Sequence, residues 1–102
     1  MITVVAKLQA EAGKEPELEA ALMEMVHAVA ANEPDVPTYS LHSSDEDPTL
    51  FLFYEQYASD EAQKAHGQTD HMKNLGASLQ GLLAGRVEIE RYTQIAGVGD
   101  EG

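Results

Sequence analysis

Two histidines past the middle of the chain are the residues best suited to proton-transfer chemistry. His66 and His71 lie five positions apart, and an imidazole titrates near neutral pH, so either ring could act as a general base or acid. On a continuous α-helix this spacing would place them about 140° apart, unlike the i, i+4 pairs that bind a metal from one helix face. The spacing therefore favours proton transfer, and we expect no metal site.

Each histidine also has a structural interpretation. His66 could be a helix-end residue that hydrogen-bonds to the backbone, and His71 follows Asp70, where it could be exposed in the first turn of a helix. The sequence leaves both interpretations open.

Three tyrosines could bind a substrate oxygen through their phenolic hydroxyl groups: Tyr39, Tyr54 and Tyr92. A tyrosine in a strand can equally belong to the core or to an interface. We take all three as candidate substrate-binding residues.

Glu55 is the acidic residue of an otherwise apolar and aromatic segment. A carboxylate that is buried alone is costly, because it loses its hydration without gaining a partner. If Glu55 is buried, we expect it to pair with a cation, namely Arg86, Arg91 or Lys73.

The composition excludes several classes of protein. With 102 residues the chain fits one domain. It has no cysteine, which excludes thiolate catalysis and Cys-based metal sites. Its net charge of -12 would repel a phosphate backbone or an anionic membrane surface, so we expect no nucleic-acid or membrane partner. The N-terminus lacks a basic signal-type segment, and the prediction for localisation is cytoplasmic.

Hydrophobic periodicity divides the chain into alternating strands and helices. Apolar alternation predicts strands, and an apolar stripe at i, i+3, i+4 and i+7 after Pro16 predicts the longest helix. The second helical segment is weakened at Gly67, and we expect it to be broken there. The predicted elements are strand 2–9, a helix from about residue 15 to 32, strands 38–44 and 50–57, a broken helical segment 59–84, strand 86–95 and a flexible tail 97–102.

This β-α-β-β-α-β order predicts an α+β, ferredoxin-like sandwich, with both helical segments on one face of an antiparallel sheet. The first five residues of the strand 50–57 are apolar on both of its alternating faces. An exposed apolar sheet face usually marks an interface, so we expect a homodimer in which two sheets pack face to face.

The middle of the chain resembles the antibiotic biosynthesis monooxygenase family, in its quinol-monooxygenase-like branch. The resemblance depends on the run Phe-Tyr-Glu-Gln-Tyr at 53–57, on Ser-Asp-Glu-Ala at 59–62, on His66, and on Thr-Asp-His-Met-Lys at 69–73. The first strand and the broken second helix also match. The similarity covers residues 2–95, and residues 1–96 are expected to form one domain of this type.

The resemblance implies a dimeric α+β barrel with a pocket between each sheet and its helices. Several members of the family oxidise phenols or quinols with molecular oxygen and without metal or flavin. The haem-degrading branch is similar in fold, but the positions of its characteristic Asn, Trp and His are occupied here by Ala6, His66 and Gly76. The resemblance therefore implies no cofactor.

The resulting hypothesis is a cofactor-free monooxygenase acting on a small aromatic or quinol-type substrate. His66 matches the first histidine of the family run and is the predicted base, with His71 orienting the substrate or the other ring. Two alternatives stay open: a non-catalytic dimer that binds a small hydrophobic molecule, and an isomerase acting on a small carbonyl metabolite.

Overall fold

One four-stranded antiparallel sheet, covered on one face by helices, forms the body of the protein. The computed structural model describes residues 1–99. Its elements are β1 (Ile2–Gln9), α1 (Glu15–Asn32), β2 (Thr38–Ser43), β3 (Leu50–Tyr57), α2 (Asp60–Gly67), α3 (Asp70–Ser78) and β4 (Glu88–Thr93). The strand order is β2-β3-β1-β4, which places β1 and β3 at the centre. The predicted ferredoxin-like α+β fold is confirmed.

The core lies between α1 and the central strands. The centre of the apolar stripe of α1 is covered, with Leu18, Leu22 and Val29 between 0% and 1% exposed. It packs against the inward-facing side chains of β1 and β3, including Leu8 and Phe53. Burying a side chain of this kind stabilises the fold by roughly 1.5 to 3 kcal/mol, so this stripe fixes α1 on the sheet.

The opposite face of the sheet carries no helix from residues 1–99. Val5 pairs with Tyr54 there, and Lys7 pairs with Leu52. Tyr54 is 38% exposed, and the side chains of Val5 and Leu52 are only partly buried. This outer face therefore presents apolar side chains to its surroundings.

The second helical segment is broken as predicted, and each part has its own cap. The hydroxyl of Ser59 accepts a hydrogen bond from the backbone N–H of Ala62 at 3.1 Å, and the hydroxyl of Thr69 accepts one from the N–H of Met72 at 3.2 Å. Because α3 is capped separately from α2, the two helices do not share one axis or one set of faces.

The predicted extension of this helical segment to residue 84 is wrong. The helix α3 ends at Ser78, and Gly81 has a φ of +80°, which a right-handed helix cannot contain. The following residues turn back to the sheet, where the N–H of Ala84 donates to the carbonyl of Gln9 at 2.8 Å. The last strand is also shorter than the predicted 86–95, since β4 spans Glu88–Thr93.

The end of the chain is only partly described. The predicted tail began at residue 97, and of it residues 97–99 are described and belong to no helix or strand. Residues 100–102 lie outside the described residues. Within residues 1–99, no helix has the length and apolar character required to cross a lipid bilayer.

Candidate functional site

A cavity of about 200 Å³ lies between the inner face of the sheet and the helices α2 and α3. Most of its lining is apolar and comes from β1, α3 and the segment before β4. The polar side chains in its wall are Tyr39, Glu55, Tyr57, Gln63 and His66. Sites for drug-sized ligands usually have roughly 300 to 1,000 Å³, so this cavity suits a smaller molecule.

A carboxylate joins the two predicted catalytic histidines. His66 Nδ1 lies 3.1 Å from both carboxylate oxygens of Glu33, and His71 Nε2 lies 2.5 Å from Oε2 of the same residue. The side chain of His66 is 8% exposed, that of His71 is 19% exposed and that of Glu33 is 10% exposed. One partly buried carboxylate therefore holds both rings.

The break between α2 and α3 makes this convergence possible. His66 lies in the last turn of α2 and His71 in the first turn of α3, and their ring centroids are 6.5 Å apart. The angle of about 140° between His66 and His71 holds only for a continuous helix, and these two residues lie on separate helices. Glu33 reaches them from the C-cap position of α1.

Sequence reasoning missed Glu33, although its position carried a signal. A carboxylate at the C-terminal end of a helix faces the negative end of the helix dipole, which is unfavourable. Such a residue is expected to have a compensating partner elsewhere, and here it has two imidazoles.

The ring of His66 lies against two tyrosines at the cavity wall. Its centroid is 5.2 Å from the ring of Tyr39 and 5.4 Å from that of Tyr57. Among residues 1–99, its side-chain hydrogen bonds are those from Nδ1 to Glu33. Nδ1 is thereby occupied, which leaves Nε2 available to exchange a proton with a molecule in the cavity. The structural interpretation of His66 expected a hydrogen bond to the backbone. The ring is instead hydrogen-bonded to the side chain of Glu33.

Glu55 is buried on the floor of the cavity, and its predicted pairing with a cation is wrong. Glu55 as a whole is 6% exposed, and its Oε1 accepts a hydrogen bond from the hydroxyl of Tyr57 at 2.5 Å. No ion pair to Glu55 occurs within residues 1–99, and Arg91 pairs with Asp60 instead. The reason is geometric, because Arg91 extends from the β4 edge toward the exposed start of α2.

Burial without a cation changes the acidity of this group. Desolvation raises the pKa of Glu55 from 4.5 to about 7, against a smaller lowering by the hydrogen bond from Tyr57. Burial, and then the charge of Glu55, also raise the pKa of Tyr57 and of Tyr39 well above the ordinary value. Both phenols therefore stay protonated at neutral pH and can donate hydrogen bonds.

The three candidate substrate-binding tyrosines are not brought together. Tyr39 lines the cavity. Tyr54 and Tyr92 lie on the outer face of the sheet, because each is one position along its strand from a residue of the inner face, Glu55 and Arg91 respectively. Within one chain they cannot contact a molecule in this cavity.

The group formed by Glu33, His66 and His71 also has the donor atoms that a metal ion would require. Their candidate ligand atoms all lie within 4.8 Å of one another, and two imidazoles with one carboxylate are a known ligand set for divalent metals. Hydrogen bonds from the two rings to Glu33 account for these contacts without an ion.

Comparison with known proteins gives a consistent result. The sequence pattern described as antibiotic biosynthesis monooxygenase matches residues 1–77. A candidate antibiotic biosynthesis monooxygenase from Caulobacter crescentus is 35% identical and superposes with a TM-score of 0.88, over 93% of this chain and 90% of that one. A Pseudomonas aeruginosa protein is 29% identical, with a TM-score of 0.84 over 93% and 94% of the two chains. No functionally curated protein matches.

Proposed function

This chain belongs to the antibiotic biosynthesis monooxygenase family, and from that premise we propose that it oxidises a small aromatic or quinol-type substrate with molecular oxygen, without metal or flavin. The observation that carries the proposal is the position of His66: it lines an apolar cavity, and its Nδ1 contacts the carboxylate of Glu33. Such a reaction needs from the protein a base, a carboxylate that orients the base, and a cavity for the substrate.

The chemistry starts from the substrate, because ground-state oxygen is a triplet and reacts slowly with closed-shell molecules. Removing a hydroxyl proton makes a dihydroxyarene electron-rich enough to pass one electron to oxygen. Combination of the two radicals forms a carbon–oxygen bond, and loss of water leaves a hydroxyquinone. One dihydroxyarene and one O₂ thus give one hydroxyquinone and one water. An apolar cavity protects the intermediates from bulk solvent.

His66 is the proposed base. If Nδ1 carries the hydrogen and donates it to Glu33, Nε2 is the unprotonated nitrogen on the cavity side. The Glu33 carboxylate then stabilises the positive ring that forms when Nε2 accepts the proton, as the carboxylate does in other base–carboxylate pairs. His71 donates to the same carboxylate from the other side and helps to fix its position.

Tyr39 is the proposed substrate-binding phenol. It lies against His66 and lines the cavity, so its hydroxyl can donate a hydrogen bond to the oxygen that His66 deprotonates. Tyr54 and Tyr92, on the outer face, would contact substrate only if that face contributes to the site in an assembly.

Oxygen uptake tests the function directly. Purified protein is mixed with a panel of hydroquinones and dihydroxynaphthalenes, and oxygen consumption is followed together with product formation. With ¹⁸O₂ we expect one labelled atom in the quinone and one in water. Tight ligand binding without oxygen uptake would favour the binding module, and product formation without oxygen uptake would favour the isomerase.

We also propose that the chain forms a homodimer through the outer face of its sheet. The partly exposed side chains of Val5, Leu52 and Tyr54 support this, because sheet packing would cover them. Leu52→Asp should give a monomer of 11.0 kDa in sedimentation. Phe51 is 3% exposed in the core, and its replacement by Asp should unfold the chain. Ala30→Asp, on the exposed side of α1, is the matched control and should stay dimeric. A monomeric wild type at micromolar concentration would refute the proposal.

A further inference from the structure

We propose that Glu55 is a second catalytic residue of the same cavity, which donates a proton to the oxygen–oxygen intermediate and recovers one from the substrate ring. The inference rests on the proposed function, since it assigns a step of that reaction. It starts from a buried carboxyl group that lines the cavity and has no cationic partner within residues 1–99.

The hydrogen bond from Tyr57 decides which oxygen of Glu55 can act. Tyr57 donates its hydroxyl hydrogen to Oε1 at 2.5 Å. The proton of a neutral Glu55 is therefore on Oε2, the oxygen that this bond leaves free. Since Glu55 is buried and lines the cavity, a molecule bound there is the natural acceptor for this proton.

The surroundings of Glu55 act on its charge in opposite directions: the hydrogen bond from Tyr57 favours the ionised form, whereas burial and the negative charge of Glu33 favour the neutral form and outweigh it. Tyr57 comes from its own strand, Tyr39 is its Cα partner on β2, and its partner on β1 is the apolar Val4. Two further groups close the cavity or lie near it, His66 from α2 and the carboxylate of Glu33 after α1. The guanidinium of Arg91, on β4, is held by Asp60, and His71 of α3 is held by Glu33.

These surroundings make the group a proton donor at neutral pH. Burial and the charge of Glu33 hold its pKa at about 7, so the neutral acid is well populated under ordinary conditions. A buried carboxyl group with a raised pKa is a recognised form of general acid.

The proposed step balances as follows. His66 takes the hydroxyl proton, and oxygen becomes bound to the ring as a peroxide anion. Glu55 gives its proton to the outer peroxide oxygen. The ring carbon then loses its hydrogen as a proton to Glu55, the electron pair of that C–H bond forms the new carbonyl, and the O–O bond breaks with its electron pair leaving on the outer oxygen. Protonated His66 converts the departing hydroxide to water, and both residues return to their initial states.

The test compares Glu55→Gln with Glu61→Gln, the same change at an exposed carboxylate of α2. Turnover is measured by oxygen uptake between pH 5.5 and 9, with the hydroquinone or dihydroxynaphthalene that the wild type oxidises fastest. For the wild type, kcat should fall as pH rises through about 7, because the acid form of Glu55 is lost. Glu55→Gln should lower kcat about 100-fold with KM changed less than threefold, and should lose this alkaline limb.

Tyr57→Phe sharpens the test. The hydroxyl of Tyr57 lowers the pKa of Glu55, so removing this hydroxyl should move the alkaline limb of kcat to higher pH. A purely structural role of Glu55 would not produce that shift. Wild-type kcat and pH profile in Glu55→Gln, while His66→Ala is inactive, would overturn this inference and leave the proposed function standing. A wild type that consumes no oxygen would overturn both.

Discussion

Two carboxyl groups, one partly buried and one buried, lie near the ring of His66, and their neighbours give them different chemistry. Glu33, at the end of α1, contacts two imidazoles. Glu55, on β3, contacts one phenol. Glu55 is buried and Glu33 is partly buried, with its side chain 10% exposed. Both carboxyl groups are thus largely shielded from solvent, and the clearest difference between them is the partner within hydrogen-bond distance.

This difference suggests a division of labour across one cavity. A carboxylate that accepts hydrogen bonds from imidazoles orients a base and stabilises its protonated form. A carboxyl group that is buried without a cation holds its proton to higher pH. In the proposed reaction, one glutamate thus supports the base and another glutamate acts as the acid.

The largest expected effect comes from the base itself. His66→Ala should lower turnover by about 10² to 10⁴, or roughly 3 to 5 kcal/mol of barrier, because the proton acceptor is lost. Because Glu55 loses its acid form in both proteins as the pH rises, the rescue is expected in the ratio of variant to wild-type turnover, which should increase toward the pKa of the substrate hydroxyl. His27→Ala, at an exposed position of α1, is the control. Full turnover in His66→Ala would show that the base lies elsewhere or is solvent.

The second prediction concerns stability at Glu55. Its pKa is about 7 in the folded chain against 4.5 ordinarily, so its stabilising contribution is present below pH 4.5 and is lost as pH rises through 7. Glu55→Gln cannot ionise, so its stability relative to the wild type should rise by on the order of 2 to 3 kcal/mol between pH 5 and pH 8. Urea unfolding at pH 5 and pH 8 measures this. An equal difference at both pH values would contradict it.

The third prediction separates the two carboxyls. Glu33→Gln keeps an oxygen that can accept a hydrogen bond from His66, but it removes the negative charge. A hydrogen bond to a charged group contributes about 1.5 to 3 kcal/mol, and part of this contribution is lost in the variant. Turnover should fall about 10- to 100-fold, while the alkaline limb assigned to Glu55 should remain but move to lower pH, because the charge of Glu33 helps to raise the pKa of Glu55. Loss of that limb in Glu33→Gln would mean that the two residues titrate as one unit.

The smallest effect is expected at His71. It contacts Glu33 but is absent from the cavity lining, so His71→Ala should lower turnover less than tenfold in the oxygen-uptake assay. Asn at this position, which can still donate to Glu33, should restore part of the loss. A loss as large as that of His66→Ala would place His71 in direct contact with the substrate.

Much of the fold followed from local patterns. Alternating apolar residues defined β1 and β3, and the stripe from Leu18 to Val29 defined α1, because burial repeats with the period of each element. The end of α3 did not follow, since the apolar residues Leu82 and Leu83 continued the helical pattern. They are instead turned toward the core after Gly81.

The site was only half predictable. His66 was visible from its type and its place in the family run, but its partner Glu33 lies 33 positions away and depends on how α1 meets α2. The partner of Glu55 was mispredicted because sequence does not show which cation can reach a buried strand. Tyr54 and Tyr92 were candidates by type alone, and strand register places them on the outer face.

The most direct measurement is a ¹³C NMR titration of protein labelled at the glutamate side-chain carboxyl carbons. The Glu55 signal is assigned by its absence in Glu55→Gln. We predict that this carbon titrates with a midpoint near pH 7 and that the midpoint moves up in Tyr57→Phe. A midpoint near 4.5, unchanged in Tyr57→Phe, would contradict the division of roles between Glu33 and Glu55.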